Sequence, residues 1–362
     1  MAPAHARHLL PARLSQRRFL ATASNPNAPP TFQVFNRAVK RLQRDRAAAN
    51  KEASRNVDYL KDEVADRLVE RILLINRPLP RVLDLGAGAC HIARSLTKPR
   101  PDEPAPVASR ISHLICTDMS PALLHRDADA PWNTELSIER IVADEESPLP
   151  FAESSLDAVV SSLSMQWIND LPGALSQVRH LLKPDAPFVA AMVGGDTLFE
   201  LRTSLQLAES ERLGGVSPRV SPLADVRDVG GLLQTAGFTL LTVDVDDIVV
   251  GYPDVFALMA DLGAMGEGNA VLGRKEGPVG RDVLVAAQAI YRELHGNEDG
   301  TLPATFRIIY MIGWKASENQ PKPLPRGSGQ ISMKDILEGS TTPSPEGRGK
   351  RNRKGLFHRC AE

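Results

Sequence analysis

Cysteine, aromatic residues and long apolar runs are all scarce in this chain of 362 residues, and acidic residues are missing from its first 44 positions. The three cysteines, Cys90, Cys116 and Cys360, are too few and too scattered for a disulfide framework or a zinc site. No apolar run approaches the roughly 18 residues of a membrane-spanning helix, so no integral membrane protein is expected. With 42% hydrophobic residues and 5% aromatics, the composition excludes collagen-like chains, disulfide miniproteins and wholly disordered proteins. The length allows one large or two ordinary domains with a sizeable core.

The formal charge of -1 is a cancellation. From Met1 to Arg44 there are eight basic residues (Arg7, Arg13, Arg17, Arg18, Arg37, Lys40, Arg41 and Arg44) and no acidic one. From Ser317 to Glu362 nine basic residues face five acidic ones, which leaves the stretch 45–316 at -13. Residues 1–24 combine Arg, Ser and Ala with Leu9, Leu10, Leu14, Phe19 and Leu20, the composition of a mitochondrial transit peptide. Arg17-Arg18-Phe19 followed by Leu20-Ala21-Thr22 would suit a processing site. Residues 25–75 are expected to form an N-terminal helical arm, and 317–362 a disordered, basic, Pro-rich tail. A second Pro-rich stretch, 98–109, interrupts the body as a low-complexity loop. An acidic body repels phosphates, so no nucleic-acid partner is expected.

Between 76 and 316, helical and extended patterns alternate. Leu60, Val64, Leu68, Ile72 and Ile75 recur at helical spacing just before this region. Short apolar strands follow at Arg81–Leu85, His113–Thr117, Ser137–Val142, Leu156–Ser162 and Pro187–Val193. Phe238–Val250 reads as extended, a helical insert fills 251–304, and Thr305–Trp314 is a last strand. The pattern predicts an α/β, Rossmann-like fold with a seven-stranded, mostly parallel sheet and helices on both faces.

Ligands of such sheets bind at the carboxyl ends of the strands. The candidate there is Val82-Leu-Asp84-Leu-Gly86-Ala-Gly88-Ala-Cys90-His91, where Gly86 and Gly88 let the backbone turn sharply against a ligand. Two features set it apart from a dinucleotide loop. His91 stands where the third glycine would be, and Asp84 would repel a pyrophosphate while suiting an ammonium or sulfonium cation.

This loop closely resembles the first motif of class I S-adenosylmethionine-dependent methyltransferases of the type-11 group. The resemblance implies S-adenosylmethionine as cofactor, held by Asp84, Gly86 and Gly88. It further implies Asp118 and the adjoining Met119 at the ribose, Asp144 and Glu145 at the adenine edge, and Ser161, Ser162 and Leu163 along the cofactor. Residues 31–316 are more specifically similar to mitochondrial complex I assembly factors of this fold, also described as arginine hydroxylases. The stretches that carry this similarity include Ser162-Leu-Ser-Met-Gln-Trp-Ile-Asn-Asp-Leu-Pro172, Ala191-Met-Val-Gly-Gly-Asp-Thr-Leu-Phe-Glu-Leu-Arg202 and Tyr310-Met-Ile-Gly-Trp-Lys315. The segment from Phe35-Asn36-Arg37 through Lys40-Arg41-Leu42-Gln43 belongs with them.

This similarity implies a matrix protein, peripheral to the inner membrane, that hydroxylates an arginine of the complex I iron–sulfur subunit near the quinone site. Other assembly factors are possible partners. Gln166, Trp167 and Asp196 are the candidate catalytic residues. Trp167 would stack on a cationic substrate, or serve as a plain core aromatic. Asp196 would pair with its guanidinium, or cap a helix. No metal-ligand spacing is present beyond His125-Arg126-Asp127, which falls on an expected helix, so no metal site is assigned. Two alternatives remain open: a carboxyl methyltransferase acting on a small molecule or carrier protein, and a non-catalytic assembly chaperone.

Overall fold

The computed structural model describes residues 33–321 except 102, 103 and 276. The expected leader 1–24 and nearly all of the expected tail lie outside the described residues. Seven strands, β1 (Arg81–Leu85), β2 (His113–Asp118), β3 (Ile138–Val142), β4 (Ala158–Ser162), β5 (Pro187–Val193), β6 (Phe238–Tyr252) and β7 (Leu302–Lys315), form one sheet in the order β3-β2-β1-β4-β5-β7-β6. The first five run parallel, and β7 lies antiparallel between β5 and β6. After β1 the chain winds outward to β2 and β3, then crosses back to β4, which pairs with β1 on its other side. That reversal opens a crevice at the carboxyl ends of β1 and β4.

Side-chain alternation along the strands sets the two layers. Val82, Leu114, Val160 and Ala191 point to one face, where α3 (Tyr59–Leu73) and α4 (His91–Thr97) pack. Farther along that face lie α7 (Phe199–Leu213), α9 (Val255–Ala264) and α10 (Arg281–His295). Leu83, Ile115, Val159 and Ala190 point to the other, covered by α6 (Leu171–Leu181) and α8 (Val226–Thr235). Helix α3 buries Leu60, Val64, Ala65, Leu68, Val69 and Ile72. It therefore belongs to the same core as β1, and that core begins before the expected boundary at residue 76.

Strand β7 is longer than the expected 305–314, because it pairs with β6 along nearly the full length of that strand. The alternating acids of β6 have partners on α3, with Asp244 2.7 Å from Arg71 and Asp246 paired with Arg67. Ahead of α3 come α1 (Arg37–Ala49) and α2 (Lys51–Asn56), with Asn36 and Asn50 as their respective caps. The short α5 (Pro121–Leu124) opens on Ser120, whose hydroxyl accepts from the Leu123 amide, with Pro121 at its first position. No helix among the described residues is long and apolar enough to cross a membrane.

Candidate functional site

The glycine loop leaves β1 at the crevice. Gly86 and Gly88 have φ of 71° and 56°, in the left-handed region that glycine tolerates best. A side chain at Gly86 would run into Ser164 and Glu145. Beneath the loop Asp84 is fully buried, and neither carboxylate oxygen has a hydrogen-bond partner. Burial, reinforced by the nearby charge of Asp118, pushes its carboxyl up to about 8. An unpaired buried carboxylate is costly, so this position is stabilised by a proton or by an incoming cation. His91, in place of a third glycine, is buried with Nδ1 2.9 Å from Asp62 of α3, and burial pulls its pKa down to about 4.

Asp118, at the end of β2, accepts from the Ser120 amide at 2.8 Å and the Gly88 amide at 3.0 Å. It also receives Arg44 of α1 at 3.0 Å. Met119 beside it is buried. Asp144 and Glu145 follow β3, and both pair with Arg37 of α1. Glu145 is buried and also accepts from Ser164 Oγ at 2.9 Å. Ser162 faces the loop with its hydroxyl buried and unpartnered. Ser161 turns instead to the backbone, donating to Leu85 O at 2.7 Å. The structure thus gathers Asp84, Gly86, Gly88, Asp118, Glu145 and Ser162 around one crevice, while Ser161 acts on the strand beside it.

Next to this crevice lies a cavity of about 580 Å³, lined mainly by apolar side chains such as Leu201, Leu205, Met259 and Phe306. Gln166 and Trp167 line it, on a short turn after β4. Gln166 Nε2 donates to Leu163 O at 2.8 Å, leaving Oε1 buried without a partner. The Trp167 ring does meet a cation, the chain's own Lys40, whose Nζ stands 3.3 Å from the ring centroid. Asp196 does meet a guanidinium, that of Arg307 on β7. It is 66% exposed and does not line the cavity, and helix α7, with Leu198 at its N-terminal cap position, has no side-chain cap.

His125-Arg126-Asp127 forms no ligand pair. Arg126 is buried and grips Asp58 and Asp127, while His125 Nδ1 bonds Pro121 O at 3.0 Å. Among the described residues, no group of three or more His, Cys, Asp or Glu side chains is placed to hold a metal ion.

Four residues of the site escaped the sequence. Arg37, Lys40 and Arg44 were counted only as part of the basic charge of the first 44 residues, yet all three point inward from α1 and are largely buried. Their spacing of three and four was the available signal, since it places them on one helix face. The fourth is Glu267, the one carboxylate among the described residues lining the cavity, which also lines the gap at the glycine loop. It accepts from Trp167 Nε1 at 2.7 Å, stands 3.4 Å from Lys61, and is held below the ordinary carboxylate range by Lys61, Lys40 and Arg44 against the effect of burial. A lone Glu in a Gly-rich segment after α9 carries no pattern that marks it. Burial also drives Lys40 down to about 7, with Glu267 opposing the shift.

Comparison with known proteins agrees with this geometry. Residues 83–190, from β1 to within β5, match a methyltransferase-domain family. Arginine-hydroxylase NDUFAF5, mitochondrial, of Danio rerio is 47% identical over 305 residues, covering 84% of this chain and 90% of that protein. Its Homo sapiens counterpart is 45% identical over 330 residues, covering 90% and 91%. A malonyl-[acyl-carrier protein] O-methyltransferase of Methylovorus is 32% identical over 313 residues, covering 85% and 98%. The chain belongs to the mitochondrial arginine-hydroxylase NDUFAF5 family, within the class I methyltransferase superfamily of enzymes.

Proposed function

We propose that this chain is a mitochondrial complex I assembly factor that hydroxylates an arginine of the complex I iron–sulfur subunit near the quinone site. It works in the matrix, peripheral to the inner membrane, with S-adenosylmethionine held at the Gly86–Gly88 loop. The observation that carries this reading is the position of Glu267, on the wall shared by the glycine-loop gap and the adjoining cavity. A guanidinium entering the cavity would find one carboxylate at its inner end, beside the cofactor loop. The names of the relatives, arginine hydroxylase and mitochondrial, support the same substrate and compartment.

The donor set fits the cofactor. The two unpartnered oxygens of Asp84 suit its cationic portion, Asp118 suits a ribose diol, and Glu145 the adenine edge. When bound, S-adenosylmethionine would supply a sulfonium centre with an activated methyl group. That group is not an oxidant, so the oxygen and the two-electron oxidation of a hydroxylation must come from a separate co-reactant of the dioxygen class. The chain's own residues position and dry the substrate. Glu267 receives the guanidinium in place of its long contact to Lys61, and Trp167 fixes the carboxylate through its indole N–H. The apolar walls strip water from the arginine methylenes, which strengthens the charge contact at the inner end. Asp196, exposed and paired with Arg307, would act at the cavity's surroundings rather than on the reacting side chain.

One observation favours a second reading, carboxyl methylation. Lys61, Arg219, Arg274 and Lys275 also line the cavity and would attract a carboxylate substrate. Mass analysis of the iron–sulfur subunit from cells with and without the protein separates the two. An arginine heavier by one oxygen in the presence of the protein supports hydroxylation. An increment of one methylene, or none, removes it.

A further inference from the structure

Three cations on one face of α1, Arg37, Lys40 and Arg44, end on groups of the site. Arg44 lies 3.0 Å from Asp118 and also donates to Ser164 Oγ at 3.3 Å. Arg37 takes both Asp144 and Glu145 and donates to Trp167 O at 3.3 Å. Lys40 covers the Trp167 ring and donates to the carbonyls of Gly266 and Gly268 at 3.2 and 2.7 Å. With α1 seated this way, the gap at the glycine loop is about 20 Å³, room for a water molecule and not for a nucleoside. Asp84 beneath it keeps two unpartnered oxygens.

We propose that α1 is a displaceable occupant of the cofactor site: Arg44 and Arg37 hold the acids that the adenosine of S-adenosylmethionine would take, so the cofactor binds only when α1 lifts away. This inference rests on the reading that the glycine loop binds S-adenosylmethionine.

The attachment of α1 is of the exchangeable kind. Its buried residues are Lys40, Arg44, Ala47 and Ala48, whereas α3 buries six apolar side chains. Leu42, its one bulky apolar side chain among the exposed residues, faces solvent at 53% exposure. Docking through desolvated ion pairs contributes little net free energy, because the attraction mainly offsets the cost of burying the charges. A ligand that brings hydroxyls to Asp118 and an adenine edge to Glu145 replaces contacts that α1 makes, and its cation adds one at Asp84 that α1 does not make. Competition of this type lowers the apparent affinity by the fraction of molecules in the open state.

A reversible lock tests the proposal on the full chain. A Cβ built at Gly266 lies 3.5 Å from Ala47 Cβ. That is the short end of the range of roughly 3.5–4.5 Å found across disulfides. In a protein carrying Ala47→Cys and Gly266→Cys, oxidation should abolish S-adenosylmethionine binding in calorimetry, and a reductant should restore it. Backbone strain at Gly266, where φ is 76°, is present in both redox states, so the difference reports the lock alone. Separately, Arg44→Ala should bind S-adenosylmethionine about tenfold tighter than wild type, as a relieved competition requires. In wild type the ligand should speed amide hydrogen exchange across residues 37–49. Equal binding by the oxidised and reduced double variant, or weaker binding by Arg44→Ala with slowed exchange in α1, overturns the proposal while leaving the cofactor reading intact. No binding by wild type, the reduced double variant or Arg44→Ala would instead remove the cofactor reading, and the proposal with it.

Discussion

The guanidinium of Arg44 lies 3.0 Å from the carboxylate of Asp118, and both side chains are almost wholly withdrawn from solvent. One residue belongs to the expected N-terminal helical arm, the other to the end of the second strand, and 74 positions separate them in the chain. Their pairing makes the first described helix part of the wall of the glycine-loop crevice. It also gives the glycine loop an acidic surround that is neutralised by the protein itself, apart from Asp84.

Gly86→Ala should lose cofactor binding and some stability together. The new methyl group would meet Ser164 and Glu145, and an alanine at φ 71° is strained even without them. Overpacking of this kind costs about 1–3 kcal/mol. A thermal melt and a binding isotherm on the same preparation read both effects.

Asp84 should make stability depend on pH. Its folded-state carboxyl is pushed from an ordinary 3.8 to about 8 by burial and by Asp118. The folded protein therefore holds a proton that the unfolded chain releases across that window, and this residue's contribution to stability falls as pH rises through it. Asp84→Asn removes the dependence. The melting temperature of the variant minus that of wild type should grow from about pH 4 to about pH 8 and be flat outside those limits. A constant difference would show that Asp84 is not protonated in the fold.

Arg126→Ala should be among the most damaging single changes away from the crevice. The buried guanidinium bonds Ser54 at 2.8 Å, Asp58 at 2.6 and 3.0 Å, and Asp127 at 2.6 and 2.9 Å. Its removal leaves the buried carboxylate of Asp58 without its guanidinium and Asp127 with Arg55 alone, a loss of about 3–5 kcal/mol by denaturant titration.

Glu267→Gln should separate substrate from cofactor. The amide keeps the shape and can still accept from Trp167, but it has no charge for a guanidinium. Arginine modification should fall about a hundredfold, the scale of a lost charged contact of 2–3 kcal/mol, with cofactor affinity changed only a few-fold. Parallel loss of both would place Glu267 in the cofactor site alone.

The fold was legible in the sequence because each strand–helix unit carries its own signal. Apolar strands ending at Leu85, Thr117, Val142, Ser162 and Val193 met their structural counterparts within a residue or so. The glycine loop and the acids after β2 and β3 were legible for the same reason, since motif and strand end coincide. Arg37, Lys40 and Arg44 were not, because a positive residue in a basic stretch looks the same whether it will be solvated or buried against Asp118 and Glu145. Glu267 was not, because what marks it is a place in space: it comes from the segment after α9 to a wall formed by Lys61 and Leu163, residues that precede it by more than a hundred positions. Asp196 illustrates the opposite case. Its local context suggested a contact to a substrate guanidinium or a helix cap, and long-range pairing of β7 beside β5 supplied Arg307 to it.

The most direct test of the account is a calorimetric titration of the full chain with S-adenosylmethionine near pH 7, in two buffers of different ionisation heat. Asp84, protonated in the free protein, must ionise to face the ligand's cation. Saturable binding accompanied by proton release, with both lost in Gly86→Ala, is the expected result. Absence of saturable heat, or binding that releases no proton and survives in Gly86→Ala, would contradict it.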